Sequence, residues 1–233
     1  MTRFHRWTPA LLSIVLLAMQ CAASSAEDRI GVASSIKPNA DGVIGSNSQA
    51  LSAGSDVYAN ETVRTGNLGQ ADLQLLDNTN LTVGPTSEVL LDKFVYDPTG
   101  SKSSVVLKAT RGAFRFVTGT QDHRAYAINT PYGSLGVRGT KVELTVAQPT
   151  MLLKTQQCVA KLRLVSGAGA SFRTRTGEVA ELTEPGTCAC ITGAGHVVYS
   201  YCPSLFAEAA IEVPVPPPPP VSPPTCVSQP NCR

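Results

Sequence analysis

The side chains of this sequence that could do chemistry are its cysteines, its few histidines and one arginine set among glycines. Seven cysteines occur in 233 residues: Cys21, Cys158, Cys188, Cys190, Cys202, Cys226 and Cys232. Two chemistries compete for them. Cys188, Cys190, His196 and Cys202 could supply a soft tetrahedral metal site, but the paired Cys-x-x-Cys spacing usual for zinc is missing, so no metal is expected. Disulfides are the better reading, because Cys21 falls in an N-terminal leader and the six that remain are an even number in an exported chain. Six thiols allow 15 pairings, and spacing does not choose among them. Cys188 and Cys190 are expected to take different partners, since residues two apart on a strand are bridged only with strain. Cys226 and Cys232 are close enough along the chain to close a small loop.

Catalytic patterns are missing. Beyond the leader lie His123 and His196, neither in a nucleophile or metal motif, and no Gly-x-Ser-x-Gly, His-Glu-x-x-His or phosphate-binding loop occurs. The segment Gly133-Ser-Leu-Gly-Val-Arg-Gly139 has three glycines, yet an alternating strand, Lys141 to Val146, follows where a phosphate cradle needs a helix. Neither an enzyme nor a cofactor is expected.

Arg138 lies inside that segment. Alternation changes phase around it: Val137 and Gly139 share one parity, while Val142, Leu144 and Val146 take the other. A bulge near Gly139-Thr140 explains the slip, since one extra residue reverses the faces that follow. Arg138 is then expected to clamp backbone carbonyls at a strand crossing, with a partner-binding arginine as the alternative. Thr130, Pro131, Arg138, Gly139 and Thr140 are the candidate site residues.

The elements that must position these residues read as strands. From Ile30 to about Tyr201 short alternating apolar runs are punctuated by Gly, Asn and Pro, an all-β signature. Ala71, Leu73 and Leu75, an Asx-rich turn Asp77-Asn-Thr-Asn80, and Leu81 and Val83 form one hairpin. Val105, Leu107 and Ala109 precede Gly112, and Phe114 and Phe116 follow it. The spacing of turns fits a sandwich, a barrel or a compact β-solenoid. Pro203 to Glu212 is the one helix candidate.

The ends have other characters. Residues 1–26 read as a cleavable signal peptide, with Arg3 and Arg6 before the apolar stretch Ala10 to Met19, which is shorter than the roughly 20 residues that span a bilayer. No stable membrane span is expected after cleavage. Residues 27–212 form the β domain, and 213–233 a Pro-rich tail; at about 3.1 Å per residue Val213 to Pro224 extends over about 37 Å, a spacer carrying the Cys226 and Cys232 pair.

Charge is uneven along the chain. Cleavage leaves 17 basic and 17 acidic residues, which gives no whole-chain field for nucleic acid. Residues 105–175, however, hold 11 basic residues against Asp122 and Glu143. Neutralisation by neighbouring strands is the expectation, and an anionic-partner surface is the alternative.

One resemblance is specific. Val57-Tyr-Ala-Asn-Glu-Thr-Val-Arg-Thr-Gly66, Gly69-Gln-Ala-Asp-Leu-Gln-Leu-Leu-Asp77, Leu81-Thr-Val-Gly-Pro-Thr-Ser87, Gly112-Ala-Phe-Arg-Phe116, Thr130-Pro131 and Val137-Arg-Gly-Thr140 follow one another in the order of the FecR domain family. From Gly54 to Val146 the chain resembles that family, with a similar β continuation to about 201. The resemblance implies an all-β, solenoid-like or sandwich periplasmic module that relays signals through protein contacts. The family's cytoplasmic sigma-factor-binding segment has no counterpart in this sequence. The expectation is an exported, non-enzymatic sensor or adaptor, periplasmic or secreted, with a protein partner in the cell envelope. The alternative is a structural or anionic-polymer-binding envelope protein.

Overall fold

The computed structural model describes residues 28–97, 103–148 and 157–202, in which 15 strands form one continuous hydrogen-bonded network. The signal peptide, the helix candidate, the Pro-rich tail, Cys226 and Cys232 lie outside the described residues. The strands are β1 (Arg29–Lys37), β2 (Ala40–Ile44), β3 (Asn47–Ala50), β4 (Asp56–Tyr58), β5 (Thr62–Thr65), β6 (Gln70–Leu75), β7 (Asn80–Val83) and β8 (Glu88–Val95). They continue with β9 (Ser104–Val117), β10 (Tyr126–Thr130), β11 (Gly133–Val146), β12 (Cys158–Thr174), β13 (Val179–Leu182), β14 (Thr187–Thr192) and β15 (Val197–Tyr201). A single 3-10 turn, His123–Ala125, is the one helical element among the described residues.

Three long strands organise this network. β9 and β11 have 14 residues each and β12 has 17, and each divides its length between two sets of neighbours. In the first arm the N-terminal half of β9 lies between β8 and β10, β10 pairs with the start of β11, and the start of β11 pairs with the end of β12, beyond which comes β13. In the second arm the C-terminal half of β9 lies between β7 and the end of β11, and the start of β12 carries β14 and β15. Strands β3, β4, β13 and β15 have one neighbour each, so the sheet is open. Fold class is all-β, as alternation predicts.

The arms share one core. Leu107, Ile128, Leu135 and Phe172 of the first arm join Phe114, Phe116, Leu144 and Leu162 of the second in one buried cluster. Across it the Phe116 ring meets Tyr126 edge-on at 5.7 Å, a favoured aromatic geometry.

Glycine sits where each long strand changes arms. In β9 Leu107 and Ala109 are buried before Gly112, and Phe114 and Phe116 after it, so the inward parity reverses at a residue with φ of 109°. In β11 the reversal occurs at Gly139, with φ of 56°. The left-handed conformation that turns the ribbon is cheap only for glycine. The bulge expected near Gly139-Thr140 is therefore a bend at Gly139, while the register slip lies one pair further on. There Lys141 faces Ser166 and Val142 faces Leu164, which leaves Val165 of β12 as the extra residue. Backbone groups freed at the bends find hydroxyls: Ala113 N donates to Ser87 Oγ (3.0 Å) and Thr140 N to Thr118 Oγ1 (2.9 Å).

The expected hairpin is β6 and β7, with Ala71 opposite Val83 and Leu73 opposite Leu81. Its turn does more than reverse the chain. The buried Asp77 carboxylate accepts from Thr79 N (3.0 Å), Thr79 Oγ1 (2.8 Å) and the Tyr126 hydroxyl (2.8 Å), which pins the hairpin to β10.

Candidate functional site

Cross-strand register decides which charges are neutralised. Glu143, fully buried on β11, accepts from Arg115 Nη2 of β9 at 2.8 Å and lies 3.6 Å from Arg163 Nη1 of β12. Both arginines are direct cross-strand neighbours of Glu143, and their side chains are only 15% and 18% exposed. Arg64 and Arg111 share Glu88, each at 3.3 Å, and Lys108 pairs with Asp92 at 3.1 Å. Lys108, Arg111, Arg115 and Arg163 of the basic middle segment are thus matched by acids of neighbouring strands, as one of the two sequence readings expects.

Four further cations, Arg124, Arg138, Arg173 and Arg175, gather on the outer face of the first arm. Arg138, Arg124 and Arg173 are exposed, and none of their guanidinium groups has a hydrogen-bond or ion-pair partner among the described residues. Arg175 reaches only the Pro131 carbonyl, at 3.4 Å. Register explains the gathering: Lys108 pairs with Asn129, Asn129 with Ser134, and Ser134 with Arg173, forming one row across β9, β10, β11 and β12. Gly136 opposite Ala127 and Ser171 forms the next row, whose side chains are all small.

Two adjoining concavities occupy this face. One, of about 750 Å³, is lined among others by Lys108, Asn129, Thr130, Pro131, Arg173 and Arg175. The other, of about 330 Å³, is lined by Arg124, Arg138 and Arg173 around Ser134, Gly136 and Ser171. Ser134 and Arg173 belong to both, and no carboxylate lines either. Ser134 Oγ donates to Asn129 Oδ1 at 2.8 Å, which leaves the Asn129 amide hydrogens for other acceptors. The floor is uncharged and hydroxyl-bearing, and its walls are hydrogen-bond donors. Such an arrangement can hold carboxylate or phosphate, for which guanidinium is the best-matched side chain.

The candidate residues of the sequence are divided by this geometry. Thr130 and Pro131 line the larger concavity, where Thr130 Oγ1 donates to Gly133 O (2.9 Å) and accepts from Tyr132 N and Gly133 N (both 3.1 Å), so it holds the β10–β11 turn. Arg138 lines the smaller one and points outward, touching none of the described carbonyls that a clamp would engage. The outward parity of Ser134, Gly136 and Arg138 on β11 is the reason. Gly139 and Thr140 are the bend and its anchor, with Thr140 Oγ1 donating to the Ser166 carbonyl. Residue-by-residue reading did not single out Arg124, Arg173 or Arg175, although the charge count of residues 105–175 contained the signal.

Cysteines sit on the opposite arm. The structure pairs Cys158 with Cys190 (Cα–Cα 5.4 Å) and Cys188 with Cys202 (Cα–Cα 6.1 Å), stapling β12, β14 and the end of β15. Cys188 and Cys190 have different partners. Among the described residues no three His, Cys, Asp or Glu side chains gather in a metal-binding group. Nor is any helix there long and apolar enough to cross a membrane.

Two phenols are perturbed. Burial, aided by the Asp77 carboxylate, pushes Tyr126 up to about 12, and burial raises Tyr132, whose hydroxyl donates to Ala147 O (3.1 Å). Both are structural donors, and Tyr126 also lines the smaller concavity beside Arg124 and Arg138.

Two solved structures of a protein described as an anti-sigma factor of Parabacteroides distasonis resemble the fold, at 10% and 11% identity with a TM-score of 0.46 each. The alignments span 60% of this chain and 59% of theirs, less than two thirds of either. No curated protein matches the chain. The model of the family described as FecR protein does match, beginning at Glu61 and running on to Lys161 inside β12, through both glycine bends of β9 and β11. The matched residues 61–161, which contain Arg124, Arg138, Thr130 and Pro131, are similar to a FecR domain.

Proposed function

We propose that this chain is an exported, non-enzymatic FecR-type module, a sensor or adaptor of the cell envelope that works through contact with a protein partner. The FecR match over residues 61–161 is the observation that carries this reading. Two disulfide pairs suit an oxidising compartment, and residues 1–26 supply the export signal. Open edge strands offer the contact surface: β15 presents Val198 and Tyr199, each about half exposed, beside unpaired backbone. The polypeptide then divides into a leader, a β domain over 27–212 and a Pro-rich spacer over 213–233.

The test is photocrosslinking in intact cells from position 199, with position 68 as an exposed control. One defined protein adduct from 199 and none from 68 is the expected result. An unlabelled envelope proteome, or retention of the chain in the cytoplasm, overturns the proposal.

A further inference from the structure

The cationic face of the first arm is unused by the protein-partner reading, which draws on the edge strands. We propose that it is a binding site for an anionic glycan, a sugar chain carrying carboxylate or phosphate groups. This inference stands apart from the adaptor reading, and either can fail alone.

Four observations carry it. First, Arg124, Arg138 and Arg173 have no acidic partner among the described residues, whereas Arg111, Arg115, Arg163 and Lys108 each have one. Carboxylates do exist nearby: Asp92 engages Lys108, Asp122 accepts from the backbone N of Arg124, and Glu181 stands opposite Ser171 at the rim. None of them lines either concavity. Second, the charges are spread out and do not converge on one point. Arg138 faces Gly169 and Arg173 faces Ser134, four residues apart along paired strands, which is about 14 Å at strand rise. Attachment points spread along the face in this way suit an extended ligand that carries repeated charge.

Third, the floor is built for hydroxylated ligands. Ser134, Ser171, Thr110, Thr130 and the Asn129 amide are among the uncharged polar groups there, and Gly136 keeps the centre flat. Fourth, the usual peptide modes are closed. The backbone of β11 from Gly133 to Gly136 and of β12 from Ala170 to Arg173 is paired with a strand on both sides, so an added strand has no edge to join there. Tyr126 is the one aromatic residue lining the two concavities, and it is buried with its hydroxyl held by Asp77, while the large apolar side chains of β11 and β12 point into the core. Exposed charge beside hydroxyl-bearing side chains favours a polyanionic sugar chain over an acidic peptide.

The experiment titrates the full chain, in its oxidised form, with oligogalacturonate as the carboxylate glycan, phosphorylated oligomannose as the phosphate glycan, unmodified oligomannose, and poly-glutamate of matched charge. Expected are binding of at least one charged glycan, weakening as salt rises, and at least tenfold tighter binding than for the neutral sugar or poly-glutamate. The double variant Arg138→Ser with Arg173→Ser is expected to lose at least tenfold in affinity at unchanged melting temperature. Lys37→Ser, an exposed cation of β1, is expected to keep full affinity. Carboxylate and phosphate glycans are told apart by which of the two binds more tightly. Equal binding by poly-glutamate would reassign the face to an acidic peptide and overturn the proposal. So would unchanged affinity in the double variant, equal loss in Lys37→Ser, equal binding of the neutral sugar, or no binding at all.

Discussion

Strands β11 and β12 carry cations and their neighbours in both arms, with opposite outcomes. In the second arm Arg163 of β12 lies against the buried Glu143 of β11, and Arg115 joins them from β9. In the first arm Arg138 of β11 and Arg173 of β12 face solvent without a partner. The strands, and the residue types, are the same. All of these side chains take the parity opposite the core, and what differs is their neighbours: register sets Glu143 beside Arg115 and Arg163, whereas Arg138 faces Gly169 and Arg173 faces Ser134. An arginine shielded from solvent must be matched by a carboxylate, whereas an exposed one can wait for a ligand.

Breaking the stapled arm should have the largest effect. Replacing Cys158 and Cys190 by serine frees a span of 32 residues and is expected to cost about 4 kcal/mol by the loop-entropy relation; replacing Cys188 and Cys202, separated by 14, costs about 3 kcal/mol. Urea denaturation of each double variant measures both. Equal losses would show that strand packing, and not loop closure, governs this arm.

Glu143→Gln tests the paired side of the comparison. It removes the buried negative charge that Arg115 and Arg163 share, at a site where both side chains are less than one-fifth exposed, so about 3 kcal/mol should be lost. A variant with a wild-type urea midpoint would mean that solvent already satisfies the two arginines.

The bends come next. In Gly167→Ala the new Cβ would lie 2.4 Å from the Gly139 carbonyl oxygen at a φ of 106°, and about 2 kcal/mol of destabilisation is expected. Gly54→Ala has a similar φ of 90° but nothing within 4 Å, so the conformational cost of about 1 kcal/mol is all that applies. Melting temperatures of the two variants separate steric from conformational cost.

Alkaline pH probes the link between the arms. The folded pKa of Tyr126 is raised from 10.0 to about 12, so its contribution is complete below pH 10 and is lost as pH climbs through 12. Stability should fall over that window, and the fall should be shallower in Tyr126→Phe. Absorbance of tyrosinate against pH supplies the independent check.

The smallest change in stability belongs to the free side. Arg138→Ser and Arg173→Ser should each shift stability by less than about 0.5 kcal/mol, since neither guanidinium touches the described protein. A loss above 1 kcal/mol would revive the structural clamp for Arg138.

Much of this architecture was legible in residue order. Alternation in Ala71 to Val83 specified the hairpin, because a ribbon with one dry face repeats every two residues. The parity change between Val137 and Val142 marked the bend at Gly139 for the same reason. Local signals could not show that Arg138 points away from the carbonyls at the crossing, since its direction depends on the parity set by Ser134 and Gly136 upstream of the bend. Nor could they separate Arg163 from Arg173, two arginines ten positions apart on one strand.

Strand character, the places where the ribbon must turn, six cysteines after residue 26 and a surplus of positive charge in the middle are properties of neighbouring residues, and the sequence by itself determined them. Which cysteine meets which, and which arginine meets a carboxylate, were decided only in three dimensions. Arg115 and Glu143 are 28 residues apart, and Cys158 and Cys190 are 32 apart. Their meeting depends on the register of strands folded over a common core, and a one-residue slip would have placed every one of these side chains on the other face.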